Sequence, residues 1–184
     1  MPFRRIRERR RRERIAHDLY SSIITQSRQP QFYLSGAVPD TLDGRFELIV
    51  LHAFLVMRRL NHVAAPVTEA AKTLSQALFD LMFDDMDQNL RELGVGDMSV
   101  GKKVKQMAQA FYGRVAAYED GVAAGGASLA EALQRNLYGT LESAPASATA
   151  MADYVLRQDS LLSKQEDGVI LEGKVVFAET GDLA

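Results

Sequence analysis

Apolar side chains recur at helical spacing from about residue 15 to about residue 162, and the pattern predicts about six helices. Ile15, Leu19, Ile23 and Ile24 mark one face of a helix over Arg4 to Gln26. Ser27 to Pro39, with Pro30, Gly36 and Pro39, reads as an irregular connection held to the body by Phe32, Tyr33 and Leu34. From Asp40 to His62, one face carries Leu42, Phe46, Ile49, Val50, Ala53, Met57 and Leu60. Leu48, Leu51 and Leu55 make the opposite face apolar too, so this helix is predicted to be buried all round. Its most apolar stretch, Phe46 to Met57, contains Glu47 and His52 and is far shorter than the ~20 residues of a membrane span.

Pro66 is expected to open the next helix and Gly94 to close it. Asp97 is then the expected N-cap of a helix whose core face is Val100, Val104, Met107, Phe111, Val115, Tyr118 and Val122. Gly121 to Gly126 reads as a flexible boundary, which divides the chain into a basic arm (1–14), a helical core (15–122) and a C-terminal segment (123–184) packed on that core. Ser128 and Glu131 have the spacing of a capping box for a short helix through Leu137, and another helix is expected over Ala146 to Lys164. After it, Val169, Ile170, Leu171 and Val175, Val176, Phe177 flank Glu172-Gly173 and predict a short hairpin packed on the helices. The expected fold class is all-α: a single helical domain with a basic N-terminal arm and a short C-terminal hairpin.

Charge changes this picture at one end. Arg4, Arg5, Arg7, Arg9, Arg10, Arg11, Arg12 and Arg14 stand against Glu8 and Glu13, a charge of +6 on a chain whose formal total is −2. Such an arm suits an anionic partner: lipid, nucleic acid or ribosome. Cations there oppose the helix dipole, so the first turns are expected to fray unless something binds them. No apolar run follows the arginines as a secretory signal would require, which points to the cytoplasm. The chain has no cysteine, which removes thiolate catalysis, Cys-ligated zinc and Fe–S clusters, and His17, His52 and His62 are scattered.

Among candidate chemistry, Asp80, Asp84, Asp87 and Arg91 share one polar stripe. Aspartates in a row can hold magnesium against a diphosphate, but prenyl-diphosphate enzymes use two facing motifs and no second one follows here. A solvated stripe with Asp87 paired to Arg91 is the plainer reading. Asp85 falls on the apolar side of the same helix and needs a partner, for which Lys102, Lys103, Lys105 or a backbone amide are candidates. The helix's apolar arc spans about 240°, against somewhat over ~100° for an ordinary core face, so either it is wedged between two layers or Phe79, Phe83, Met86 and Leu90 form an exposed ridge. Gly96 to Lys102 meets the Walker pattern only in part, because Lys103 stands where a Ser or Thr is required. His52 and His62 read as core or cap residues.

Six segments together resemble the ubiquinol-cytochrome c chaperone family: Asp40 to Glu47, His52 to Arg59 ending in the Arg58-Arg59 pair, Ser75 to Asp80, Phe83 to Asp87, Leu90 to Asp97, and Lys102 to Arg114. The resemblance covers roughly residues 15 to 122 and suggests a bacterial member. It implies a non-enzymatic, all-helical assembly chaperone, without cofactor, metal or small-molecule substrate, that binds newly made cytochrome b during biogenesis of respiratory complex III. Mitochondrial members act with a small partner protein near the ribosome. On this reading the client site is the border between Phe79, Phe83, Met86 and Leu90 and the carboxylates Asp80, Asp84 and Asp87. Arg91 and Lys105 are possible modulators, and Asp43-Gly44-Arg45 is structural support. The arm is expected to meet an anionic membrane surface at the inner face of the cytoplasmic membrane. Competing readings are a nucleic-acid or ribosome-binding protein acting through the arm and a magnesium-dependent prenyl-diphosphate enzyme.

Overall fold

The structure is a computed structural model that describes residues 2–143, 145–181 and 183. Among the described residues eight helices follow one another: α1 (Pro2–Ser27), α2 (Gln31–Leu34), α3 (Leu42–Asn61), α4 (Thr68–Glu92), α5 (Asp97–Ala124), α6 (Gly126–Asn136), α7 (Ala148–Ser163) and α8 (Asp167–Leu171). The six long ones match the six that periodicity predicts, and no strand occurs among the described residues.

The all-round apolar character of α3 sets the architecture, because a helix without a polar face must be covered on both sides. Val50, Ala53, Val56, Met57 and Leu60 face one cluster built with α1, α4, α8 and Phe111 of α5. Leu48, Leu51, Phe54 and Leu55 face a second cluster built with α2, α6, α7, Tyr118 of α5 and Leu183 near the C-terminus. The single helical domain is thus two cores sharing one central helix.

Several boundaries differ from the sequence expectation, each for a local reason. α5 begins at Asp97 with Gly96 in the cap position, so Asp97 is the first helical residue and not the N-cap. Gly94, at φ +82°, lets the chain turn out of α4. The capping box is not formed: α6 begins at Gly126, which leaves Ser128 inside the helix. Gly125, at φ +102°, turns the chain between α5 and α6, which pack so closely that a Cβ on Gly121 would lie 2.9 Å from Leu129 Cα. The connection after α1 contains the one-turn α2, in which Phe32 is buried and Tyr33 half-buried, whereas Leu34 is exposed instead of tying the loop down.

The expected hairpin is also replaced. Val169, Ile170 and Leu171 lie in α8, where Ile170 is buried in the first cluster. Residues 174–180 have no regular secondary structure, and backbone groups among them bond to glutamine side chains rather than to a second strand. The Val176 N–H donates to Gln165 Oε1 (3.1 Å) and Gln165 Nε2 donates to the Val176 carbonyl (2.6 Å). Gln158 does the same at Ala178, with both bonds at 2.9 Å. Side-chain amides thus satisfy backbone groups that a hairpin would have paired.

Candidate functional site

The polar residues of α3 divide into two groups by what they touch. His52 is enclosed: its Nδ1–H donates to the Leu48 carbonyl (2.7 Å), and its Nε2 accepts from the Tyr154 hydroxyl (2.8 Å), which Gln26 also contacts at 3.0 Å. Burial pulls its pKa down to about 4, against the opposing pull of the Leu48 carbonyl. Arg58 pairs with Glu119 and Asp159, and buried Arg59 donates to the carbonyls of Leu162 and Gln165 and to Asp167. These contacts use up the Arg58-Arg59 pair in tying α3 to α5, α7 and α8. His62 is the exposed C-cap residue of α3.

At the other end of α3 the arrangement opens. Asp40 pairs with Arg45 (2.7 Å), and the Thr41 side chain accepts from the Gly44 N–H (3.1 Å) to cap the helix. A Cβ on Gly44 would collide with the Pro39 carbonyl at 2.0 Å, so only glycine allows the chain to fold so tightly here. This start leaves Leu42 on the surface, 63% exposed, and directs Phe46 and Glu47 toward α4 and α5. Glu47 forms a buried two-point pair with Arg114; burial raises its pKa despite the guanidinium. The buried Tyr118 hydroxyl has no hydrogen-bond partner among the described groups, and burial raises its pKa too.

Facing this start is the end of α4. Two hollows of about 690 and 620 Å³ share Leu42, Phe46, Met86, Asn89 and Leu93 as lining and form one cleft. Ile24 and Tyr33 extend its apolar wall toward α1 and α2, and Leu90 and Met107 extend it toward α5. Leu93 is 63% exposed, like Leu42. Lone exposed leucines need no explanation, but two flanking a cleft floored by phenylalanine and methionines form an apolar surface without cover. Methionine side chains adapt to irregular apolar partners. Asp43, Arg28, Lys103 and Arg135 bring both signs of charge to its edges.

The residues proposed from sequence separate in this geometry. Met86 and Leu90 line the cleft. The exposed ridge is not formed: Phe83 and Met86 are only 7% and 8% exposed, because α4 is wedged between α1, α3 and α5. Phe79 is half-buried and stacks on exposed Tyr112 (centroids 5.4 Å), with Phe83 (4.6 Å) and Phe111 (5.5 Å) behind it. Asp80 accepts from Gln76 (2.8 Å), Arg91 bridges Asp87 and Asp97, and Asp84 and Lys105 are exposed. None of Asp80, Asp84, Asp87, Arg91 or Lys105 lines the cleft. Asp85 finds neither lysine nor amide: the Tyr20 hydroxyl of α1 donates to it at 2.8 Å. Sequence reasoning missed Leu42, Phe46, Leu93 and Met107 as one site, although Leu42, set between a capping threonine and an aspartate, was a visible apolar residue in a polar turn. Among the described residues no group of three or more acidic or histidine side chains is placed to hold a metal ion, and no helix is long and apolar enough to cross a membrane.

A helical body with an uncovered apolar cleft, and a polar interior whose histidine and arginines are engaged in holding the helices together, has the form of a binding protein. Comparison with known proteins defines the class: residues 35–177 match the family described as Ubiquinol-cytochrome C chaperone, and the chain belongs to that family. Ubiquinol-cytochrome-c reductase complex assembly factor 1 of Xenopus laevis is 23% identical over 86% of this chain and 78% of its own length. Its Homo sapiens counterpart is 24% identical over 85% of this chain, which spans only 52% of that protein. Protein CBP3, mitochondrial, of Saccharomyces cerevisiae is 27% identical over 82% of this chain and 45% of its own length. The crystal structure of the Cbp3 homolog from Brucella abortus superposes with a TM-score of 0.83 at 36% identity, covering 98% of both chains.

Proposed function

We propose that this protein is a non-enzymatic assembly chaperone that holds newly made cytochrome b while ubiquinol–cytochrome c reductase is built, and that the cleft between the α3 start and the α4 end receives the client. The cleft's uncovered apolar lining, from Ile24 through Phe46 and Met86 to Met107, carries this reading. An unassembled membrane protein presents apolar helices flanked by charged loops, and an apolar floor with both signs of charge at its rim suits such a segment. Within the client site expected from sequence, Met86 and Leu90 belong to the floor, Phe83 supports it from within, and the Asp80, Asp84 and Asp87 stripe stays outside it. The protein works at the inner face of the cytoplasmic membrane, where its client is inserted, and the arm meets the anionic surface there. Family membership supports a holding rather than a chemical role.

The test uses Leu42→Asp together with Leu93→Asp. Both positions are exposed, so the melting temperature should stay near that of the parent chain, while capture of cytochrome b from detergent-solubilised membranes should fall at least about tenfold. Undiminished capture by a folded double variant would remove the cleft from the proposal.

A further inference from the structure

The arm is not frayed: α1 is one helix from Pro2 to Ser27, and residues 4–14 stand clear of the body, all exposed except half-exposed Arg12. Stepping about 100° per residue sorts its arginines into two rows. Arg4, Arg7, Arg10, Arg11 and Arg14 lie within an arc of about 120° and a length of about 15 Å. Arg5, Arg9 and Arg12 lie together on another side, in the direction in which Ile15, Ala16, Leu19, Tyr20 and Ile23 bury themselves against the body. The five-residue row points about 150° away from that direction, outward from the molecule. Continuing it along α1 meets exposed Asp18, Ser21 and Thr25 and half-exposed Ser22, so none of the residues on this side of the helix is buried by the body. Arg7, Arg10, Arg11 and Arg14 form no ion pair among the described residues; Arg4 pairs with Glu8 and Arg9 with Glu13.

We infer that this outward row is a docking face for the phosphates of an anionic lipid bilayer, and that α1 thereby fixes the cleft at the membrane surface. Charge complementarity selects an anionic occupant, and the one-sided, outward placement selects a planar one. A nucleic-acid groove, with phosphates on two walls, would engage both rows. Helix α1 also supplies Ile24 and Ser27 to the cleft wall, beginning about 15 Å beyond Arg14, and Arg28 follows directly after it. Lipid contact and client contact therefore share one rigid element. This inference rests on the membrane-side chaperone reading and adds how the chain is oriented there.

The test measures sedimentation of the full chain with phosphatidylcholine vesicles, with or without about 30% phosphatidylglycerol, at low salt and in the presence or absence of a short RNA duplex. Each basic residue near such a surface is worth about fivefold in affinity. Replacing Arg4, Arg7, Arg10, Arg11 and Arg14 with Gln should lower binding to the anionic vesicles by about a thousandfold or more. Replacing Arg5, Arg9 and Arg12 with Gln should cost less than about fivefold. Equal losses from the two sets, or displacement of the chain from vesicles by the duplex, would overturn the inference in favour of nucleic acid. Unchanged binding after loss of the five-residue row would overturn it outright. Capture of cytochrome b in detergent is read on the same variants: capture retained while vesicle binding is lost is the expected result, whereas capture lost by the parent chain itself contradicts the chaperone reading instead.

Discussion

The two ends of α3 solve opposite problems. Toward its C-terminal half, His52, Arg58 and Arg59 are enclosed or paired, and each polar atom that meets α7, α8 or the tail is answered by another. At its first turn, the polar groups Asp40, Thr41 and Arg45 serve only to start the helix, and apolar side chains are left facing solvent. The chemically suggestive residues thus sit where they hold the fold, and the candidate site lies where little chemistry is visible. Titratable groups in a buried network are poor guides to function when every one of them has a structural partner.

Removing a partner from the enclosed end should have the largest effect. Arg59→Ala leaves Asp167 and two carbonyls without their donor and should lower stability by about 3–5 kcal/mol in urea unfolding. Acid comes next. The folded-state pKa of His52 lies near 4, below the ordinary 6.5, so the unfolded chain takes up a proton that the folded chain refuses. Stability is intact above pH 6.5 and declines as pH falls toward 4, by about 3 kcal/mol in total from this group. Unfolding midpoints at pH 7 and pH 5 should therefore differ, and His52→Gln should flatten the difference. Tyr154→Phe removes the hydroxyl that His52 Nε2 accepts from and should cost about 1–2 kcal/mol, read as a lowered melting temperature. The smallest effect belongs to the exposed stripe: Arg91→Ala should change stability by no more than about 0.5 kcal/mol, and a larger loss would mean that the Asp87 and Asp97 pairs matter more than surface pairs generally do.

Much of this architecture was legible in the sequence because helical periodicity is a local signal. The buried character of α3 followed from apolar residues on both its faces, and the arc of α4 already allowed the wedged position in which Phe83 and Met86 are found. The C-terminal segments were misread for a related reason: three apolar residues in a row fit a strand or a buried helical turn equally well, and tertiary burial of Ile170 decided for the helix. Tyr20 and Asp85 are 65 residues apart, so no local pattern could pair them. The cleft was illegible for the same cause. Leu42 begins α3 and Leu93 caps the end of α4, and only the packing of α3 against α4 brings the two together.

Client contact at the cleft rather than at the carboxylate stripe is the central claim, and the lack of cysteine in the chain allows a direct measurement. Leu93→Cys and Asp84→Cys each place one thiol, at the cleft and on the stripe, on exposed positions of the parent chain. Alkylation rates are then compared with and without bound cytochrome b. The account predicts that client binding slows modification at position 93 at least about tenfold and leaves position 84 within about twofold of its free rate. Protection at position 84 with none at position 93 would contradict it.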